Sequence, residues 1–206
     1  MNPTRIEPVT VITEALTRLV LALVRNPSAA SVTSSIHGTT VVFVIRVAPD
    51  DRRRVIGSDG KHIQALEVLA EEGAKRIGLE GWVTLDEKTP VPAQAGLRTA
   101  AFGAYNAKQV QSLPGLLRQT ALLFVTVPGS LAVQASELGG LTLLDLQVNR
   151  ADYSALYGRP TTFRYGVDGH LLGALKNLLD GVGKNNGRAI RVILSEVAAP
   201  APKWSA

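Results

Sequence analysis

The 206-residue chain contains no cysteine, so it cannot form a disulfide, present a thiolate nucleophile or build a cysteine-ligated zinc site. Histidine is almost as scarce. His37, His62 and His170 are the whole supply, and a multi-histidine metal site would consume all of it. The single methionine is Met1. Long hydrophobic runs are missing too. The longest, Leu19 to Val24 and Ala121 to Val125, fall far short of the ~20 residues that a membrane helix needs. No secretory h-region precedes Ile12. Together these absences predict a soluble, cytoplasmic protein with no membrane association and no cofactor.

What is present suits a folded protein. Hydrophobic residues make up 46% of the chain, enough for a core, and the length fits one ordinary domain or two small ones. The net charge of +5 is a modest basic excess, compatible with a polyanion partner. It is unevenly spread. Residues 1–88 hold 11 Lys/Arg and 11 Asp/Glu, whereas residues 89–206 hold 11 Lys/Arg and 6 Asp/Glu, so the second half carries the whole excess.

Residues 10–25 space their apolar positions like an amphipathic helix, which Asn26 and Pro27 stop. Ser31 to Ile36 is a short β-prone run, and His37-Gly38 makes a turn. Thr39 to Val47 is β-branched and apolar, a central strand. Ala48-Pro49-Asp50-Asp51 leaves that strand and offers an acid as helix cap. A short helix runs to Ile56, Gly57-Ser58-Asp59-Gly60 interrupts it, and Lys61 to Arg76 forms a longer helix. Gly78 ends that helix, and Gly81 to Leu85 is a last strand. The predicted order is α-β-β-α-α-β.

Residues 86–106 have prolines, glycines and no sustained period, which marks a linker at 89–106. Beyond it the first pattern returns. A shift of 101 places Pro27 on Pro128, Val32 on Val133, Gly38 on Gly139, Val47 on Val148, Asp51 on Asp152 and Gly57 on Gly158. After an eight-residue insertion the shift becomes 109, and residues 65–85 match 174–194 at 7 of 21 positions without a gap. A diverged internal duplication explains both the identities and the repeated order of elements. The expected layout is a unit at 1–88, the linker, a diverged unit at 107–198 with an inserted loop at 159–166, and a tail at 199–206.

The chemistry points to the segment between the two helices of the first unit. Two glycines three apart let the backbone turn tightly and approach a ligand without an intervening side chain. The next helix starts near Lys61, where free N–H groups, the positive dipole end and the lysine together favour an anion such as a phosphodiester. Alone, a GxxG run is a common turn. Its weight comes from its place between two helices of an α-β-β-α-α-β unit.

Residues 12–86 resemble the small bacterial KH-domain RNA-binding proteins. The likeness is carried by the leading helix, the strand ending VFVIRVAPDD, the run RRRVIGSDGKHIQAL and the terminal strand GWVTL. The resemblance implies an α/β (α+β) type II KH fold, a three-stranded sheet with helices packed on one face, here as a tandem. It implies binding of single-stranded RNA, about four nucleotides per domain, and a role as an RNA chaperone or post-transcriptional regulator. By resemblance the signature residues are Ile56, Gly57, Ser58, Asp59, Gly60 and Lys61, with Ile63 and Leu66 supporting the groove. Arg53 and Arg54, just before the loop, are expected to add one or two phosphate contacts, with Asp50 and Asp51 neutralising part of their field.

The family's loop usually includes a lysine or arginine at its two variable positions, where this chain has Ser58 and Asp59. An acid facing phosphate costs on the order of 1 kcal/mol when partly screened by solvent. Alternatively, Asp59 caps the next helix and spends its charge on backbone N–H groups. The second copy offers Gly166-Val167-Asp168-Gly169 as its RNA-binding loop, followed by His170 at the place of Lys61, which either contacts phosphate or simply begins a helix, and it poses the same question at Asp168. Its insert brings Arg159, Arg164 and Tyr165 beside that loop, a combination that can stack bases and neutralise phosphate. Arg188 and Arg191 would widen the basic face. His62, in the first turn of its helix, reads as a surface residue or a ligand contact.

An enzyme is not expected. No close Ser-His-Asp set, paired-carboxylate motif, metal-ligand cluster, G-x-G-x-x-G run or Walker A motif is present. The rival function is a KH-fold structural or protein-interaction module that has lost nucleic-acid binding, favoured by the acid in both loops and by the neutral first unit. Single-stranded DNA stays open as a ligand, because a GxxG clamp reads backbone and bases more than the 2′-OH. A homodimer or protein partner stays open without specific warrant.

Overall fold

A computed structural model describes residues 6–86, 112–157 and 169–197. The first unit runs α1 (Ile6–Leu23), β1 (Ser31–His37), β2 (Thr40–Arg46), α2 (Arg52–Ile56), α3 (Lys61–Lys75) and β3 (Glu80–Leu85). The second repeats the order with α4 (Leu113–Ala121), β4 (Ala132–Leu138), β5 (Leu141–Val148), α5 (Arg150–Tyr157), α6 (His170–Asn185) and β6 (Ala189–Glu196). This is an α+β architecture of two three-stranded sheets, each flanked by helices, as tandem KH-like domains require. The expected linker at 89–106 and tail at 199–206 lie outside the described residues.

In each sheet the middle strand pairs antiparallel with one neighbour and parallel with the other. Ser31 faces Arg46 and His37 faces Thr40 across β1 and β2, while Val41 faces Gly81 across β2 and β3. The second sheet repeats this with Ala132 opposite Gln147 and Ile190 opposite Thr142. Alternation sets the buried face. Val41, Phe43 and Ile45 of β2 point inward and are fully covered, as are Leu144, Leu146 and Val148 of β5. Each such side chain contributes roughly 1.5–3 kcal/mol by leaving water. Opposite them lie Ile12, Leu16, Leu19 and Leu23 of α1, spaced three or four apart, and Leu66 and Leu69 of α3.

Helix α1 begins four residues before the sequence-based start at residue 10 and runs through Pro8. Proline fits there because the N–H groups of a first helical turn have no intrahelical acceptor to lose. A second departure concerns Asp51, expected to cap the helix it precedes. Its carboxylate makes no such cap. It is buried, and it accepts instead from the amides of Arg25 (2.8 Å) and Asn26 (2.9 Å), the residues that leave α1. Asp152 does the same in the second unit, accepting from the amides of Thr126 (2.6 Å) and Val127 (3.2 Å). Both acids and both pairs of amides are related by the shift of 101.

The two similarly folded units bring helix and strand together through a glycine at different places. In the first unit Gly81 of β3 lies so close beneath α3 that a Cβ there would collide with the Ala70 carbonyl and touch the Ala74 methyl. In the second unit the glycine is on the helix. A Cβ at Gly183 would sit 2.8 Å from Ile190 Cγ1. Positions 74 and 183 correspond, as do 81 and 190, so the glycine lies on the strand in the first unit, beneath Ala74, and on the helix in the second, beside Ile190.

The two units share one continuous buried cluster. Its middle is the antiparallel pair α3 and α6, with His62 against Gly181 at one end and His170 facing Glu72 at the other. Helix α6 is accordingly buried nearly all round, from Leu171 and Leu172 to Val182 and Gly183, because one side faces its own sheet and another faces α3. Reciprocal polar contacts close the seam. Arg76 Nη1 donates to the Leu123 carbonyl at 3.0 Å, and Asn185 Nδ2 donates to the Leu23 carbonyl at 2.7 Å. Positions 76 and 185 correspond under the shift of 109, so each unit's long helix ends by closing the other unit's first helix.

Candidate nucleic-acid interface

Helix α2 stops because Gly57 turns the backbone to φ 75, ψ 173, a region that only glycine occupies without strain. Its amide still donates to the Arg53 carbonyl at 2.9 Å. Ser58–Gly60 form one tight 3-10 turn, in which Asp59 at φ 55 and Gly60 at φ 74 are both left-handed. The Gly60 amide closes the turn on the Gly57 carbonyl at 3.4 Å. Helix α3 then starts at Lys61. A bend this sharp exposes the first turn of α3 beside the last turn of α2.

The resulting edge combines apolar and cationic groups. Arg53, Ile56, Ser58, Asp59 and Lys61 are exposed, and Gly57, Gly60 and Ile63 are half-buried. Leu66, one turn further along α3, is fully buried and supports the edge from beneath. Arg54 is less available, because its Nε lies 3.8 Å from Asp51 Oδ1. That leaves Arg53 and Lys61 as the exposed cations here, against the single acid Asp59. Asp59 does not cap α3, whose cap residue is Gly60 with no side-chain hydrogen bond. Its carboxylate sits exposed at the loop tip.

The sequence expects His62 on the surface or against a ligand, but the structure packs it into the seam between the units. Its Nδ1 donates to the Arg54 carbonyl at 2.6 Å, and its ring is packed between Gly57 and Gly181. The run of small and apolar residues in α6 was the one signal in the sequence for this contact. It marks a helix covered on two sides, although it does not say by what.

The corresponding edge of the second unit is built differently. Gly169 has an ordinary φ of −65 and is pressed against the Tyr157 carbonyl, so close approach, not left-handed backbone, explains the glycine there. His170, at the position of Lys61, lies in the seam with its Nε2 3.3 Å from Glu72 Oε1, and its side chain is only 13% exposed. Burial raises the Glu72 carboxyl, but Lys75 and His170 outweigh it and hold the group below its usual 4.5. Arg188 lies 3.6 Å from Glu137, and Arg191 stands on the second sheet opposite Leu143. Arg159, Arg164, Tyr165, Gly166, Val167 and Asp168 lie outside the described residues.

Among the described residues, no group of three or more acidic or histidine side chains is placed to hold a metal ion. Nor is any described helix long and apolar enough to cross a membrane.

The family model for the KhpA/KhpB KH domain matches residues 13–80, which span most of α1 through the start of β3 and include the whole loop. The chain is also similar to the RNA-binding protein KhpA of Caldanaerobacter subterraneus subsp. tengcongensis, with 37% identity over 72 residues, covering 32% of this chain and 95% of that protein. No solved structure matches the chain.

Proposed function

Because the chain belongs to the KhpA/KhpB family of KH-domain proteins, we propose that it binds short single-stranded RNA along the edge that runs from Arg53 to Ile63. The observation that carries the proposal is the loop itself. Gly57, Asp59 and Gly60 all take positive φ, and the turn they make sets the first turn of α3 beside exposed Ile56. Phosphate would lie against Gly57, Ser58 and Gly60 at the helix start, with Lys61 and Arg53 neutralising charge. Unstacked bases would reach Ile56 and Ile63. Asp59 keeps the affinity of this one site moderate. The unit is a KH fold of type II, and the cellular role that fits is an RNA chaperone or post-transcriptional regulator.

The rival is a KH-fold module that no longer binds nucleic acid. The exposed Asp59 carboxylate, which caps no helix, is the observation that favours it. One titration separates the two. The full chain is titrated by fluorescence anisotropy against a randomised single-stranded RNA pool, at about 50 mM and about 200 mM salt. Saturable binding of micromolar or weaker affinity that falls as salt rises supports the proposal. No saturable binding at the lower salt supports the rival. The same titration with single-stranded DNA tests whether the 2′-OH contributes.

A further inference from the structure

We infer that the second unit sets the shape of the first unit's loop, with His62 as the positioning residue that transmits the contact. This rests on the proposal that the loop is where RNA binds, and it gives the second unit a task in that binding.

The geometry is specific. His62 is the second residue of α3, after the loop, while Arg54 precedes the loop in α2. The hydrogen bond from His62 Nδ1 to the Arg54 carbonyl therefore ties the two ends of the loop together. The ring fills the gap between two glycines. A Cβ at Gly57 would lie 2.6 Å from His62 Cγ, and a Cβ at Gly181 would collide with His62 Nε2 and Cε1. The first glycine belongs to the loop and the second to α6. The imidazole thus spans from the loop to the other unit.

Helix α6 is held against α3 at both ends. Asn185, four residues past Gly181, donates to the Leu23 carbonyl, and His170 at the start faces Glu72. Gly181 is also a poor choice for a helix interior on propensity alone, where alanine is the better helix former. The space it leaves is occupied by the His62 ring. Under the repeat, position 62 corresponds to Leu171 and position 181 to Glu72. The internal two-fold relation is thus broken at the place where the seam touches the Gly57–Gly60 loop.

The test uses the full chain and three variants: Gly181→Ala, His62→Ala and the double substitution. The first readout needs no RNA. Amide resonances of Gly57 and Gly60 report the loop, and the melting temperature reports the fold. Gly181→Ala is expected to move both glycine amides when His62 is present and to leave them in place in the His62→Ala background. The second readout is RNA affinity, which Gly181→Ala should weaken roughly tenfold only when His62 is present. Glycine amides that stay put in Gly181→Ala, or that move equally in both backgrounds, overturn the inference. Failure of the wild-type chain to bind RNA overturns the functional proposal instead, and the amide readout still decides whether His62 positions the loop.

Discussion

Asn185 Nδ2, at the end of the second unit's long helix, donates to the Leu23 carbonyl at the end of the first unit's α1, at 2.7 Å. A bond this far apart in sequence joins two units that already share one core. It satisfies a carbonyl that α1 cannot satisfy internally. Asn185→Ala should lower stability by about 1 kcal/mol, since the contact is half-buried. Arg76→Ala should cost less than about 0.5 kcal/mol, because that contact is solvent-exposed. Urea unfolding with tryptophan fluorescence and circular dichroism checks both. The two probes should give one coincident transition, as one core implies, and two separate transitions would show that the units unfold independently.

Asp152 predicts an acid limb in the stability profile. Burial raises its carboxyl, but hydrogen bonds from the Thr126 hydroxyl and amide, the Val127 amide and Asn149 outweigh that, and the group is held below its usual 3.8. The folded carboxyl is thus the stronger acid, and in acid the unfolded state binds more protons. The stability contribution is complete above the unfolded value and is lost as pH falls through the folded value. Glu72, also lowered, works in the same direction from the seam. Asp152→Asn should cost about 2 kcal/mol at neutral pH and flatten the limb. Melting temperatures measured from about pH 2 to pH 6 test this. A variant whose profile runs parallel to wild type would contradict it.

Asp59→Asn should strengthen RNA binding. Asparagine tolerates the left-handed backbone at this position, so the loop keeps its shape, and no helix cap is lost. Only the charge at the loop tip goes. The expected gain is about fivefold at low salt, shrinking as salt rises, with stability unchanged within about 0.5 kcal/mol. Anisotropy titrations at two salt concentrations check the affinity. Weaker binding by the neutral variant would mean that Asp59 itself contacts RNA.

Much of the first unit was legible because its elements announce their own periods. Thr39 to Val47 alternates around Val41, Phe43 and Ile45, and the glycine pair sits where the two helices break. The second unit was legible through the shifts of 101 and 109. What escaped were features decided across the fold. Asp51 stands where a cap should stand, yet two free amides at Arg25 and Asn26 take its carboxylate. His62 is polar and lies in a first helical turn, which locally means surface. Its place depends on a glycine in the other unit. The pairing of α3 with α6 had no local signature beyond the apolar coat of α6, and His170 was read by its alignment with Lys61, whereas its neighbour across the seam is Glu72.

In the proposed function, RNA lies on the edge from Arg53 to Ile63. Titrating a short single-stranded RNA into the isotopically labelled full chain, and following backbone amides by NMR, tests it most directly. The largest shifts should fall on Arg53 to Ile63, with Gly57 and Gly60 prominent and the outer face of the first sheet, including Trp82, little changed. Shifts concentrated on the sheet faces, with Gly57 and Gly60 unmoved at saturation, would contradict it.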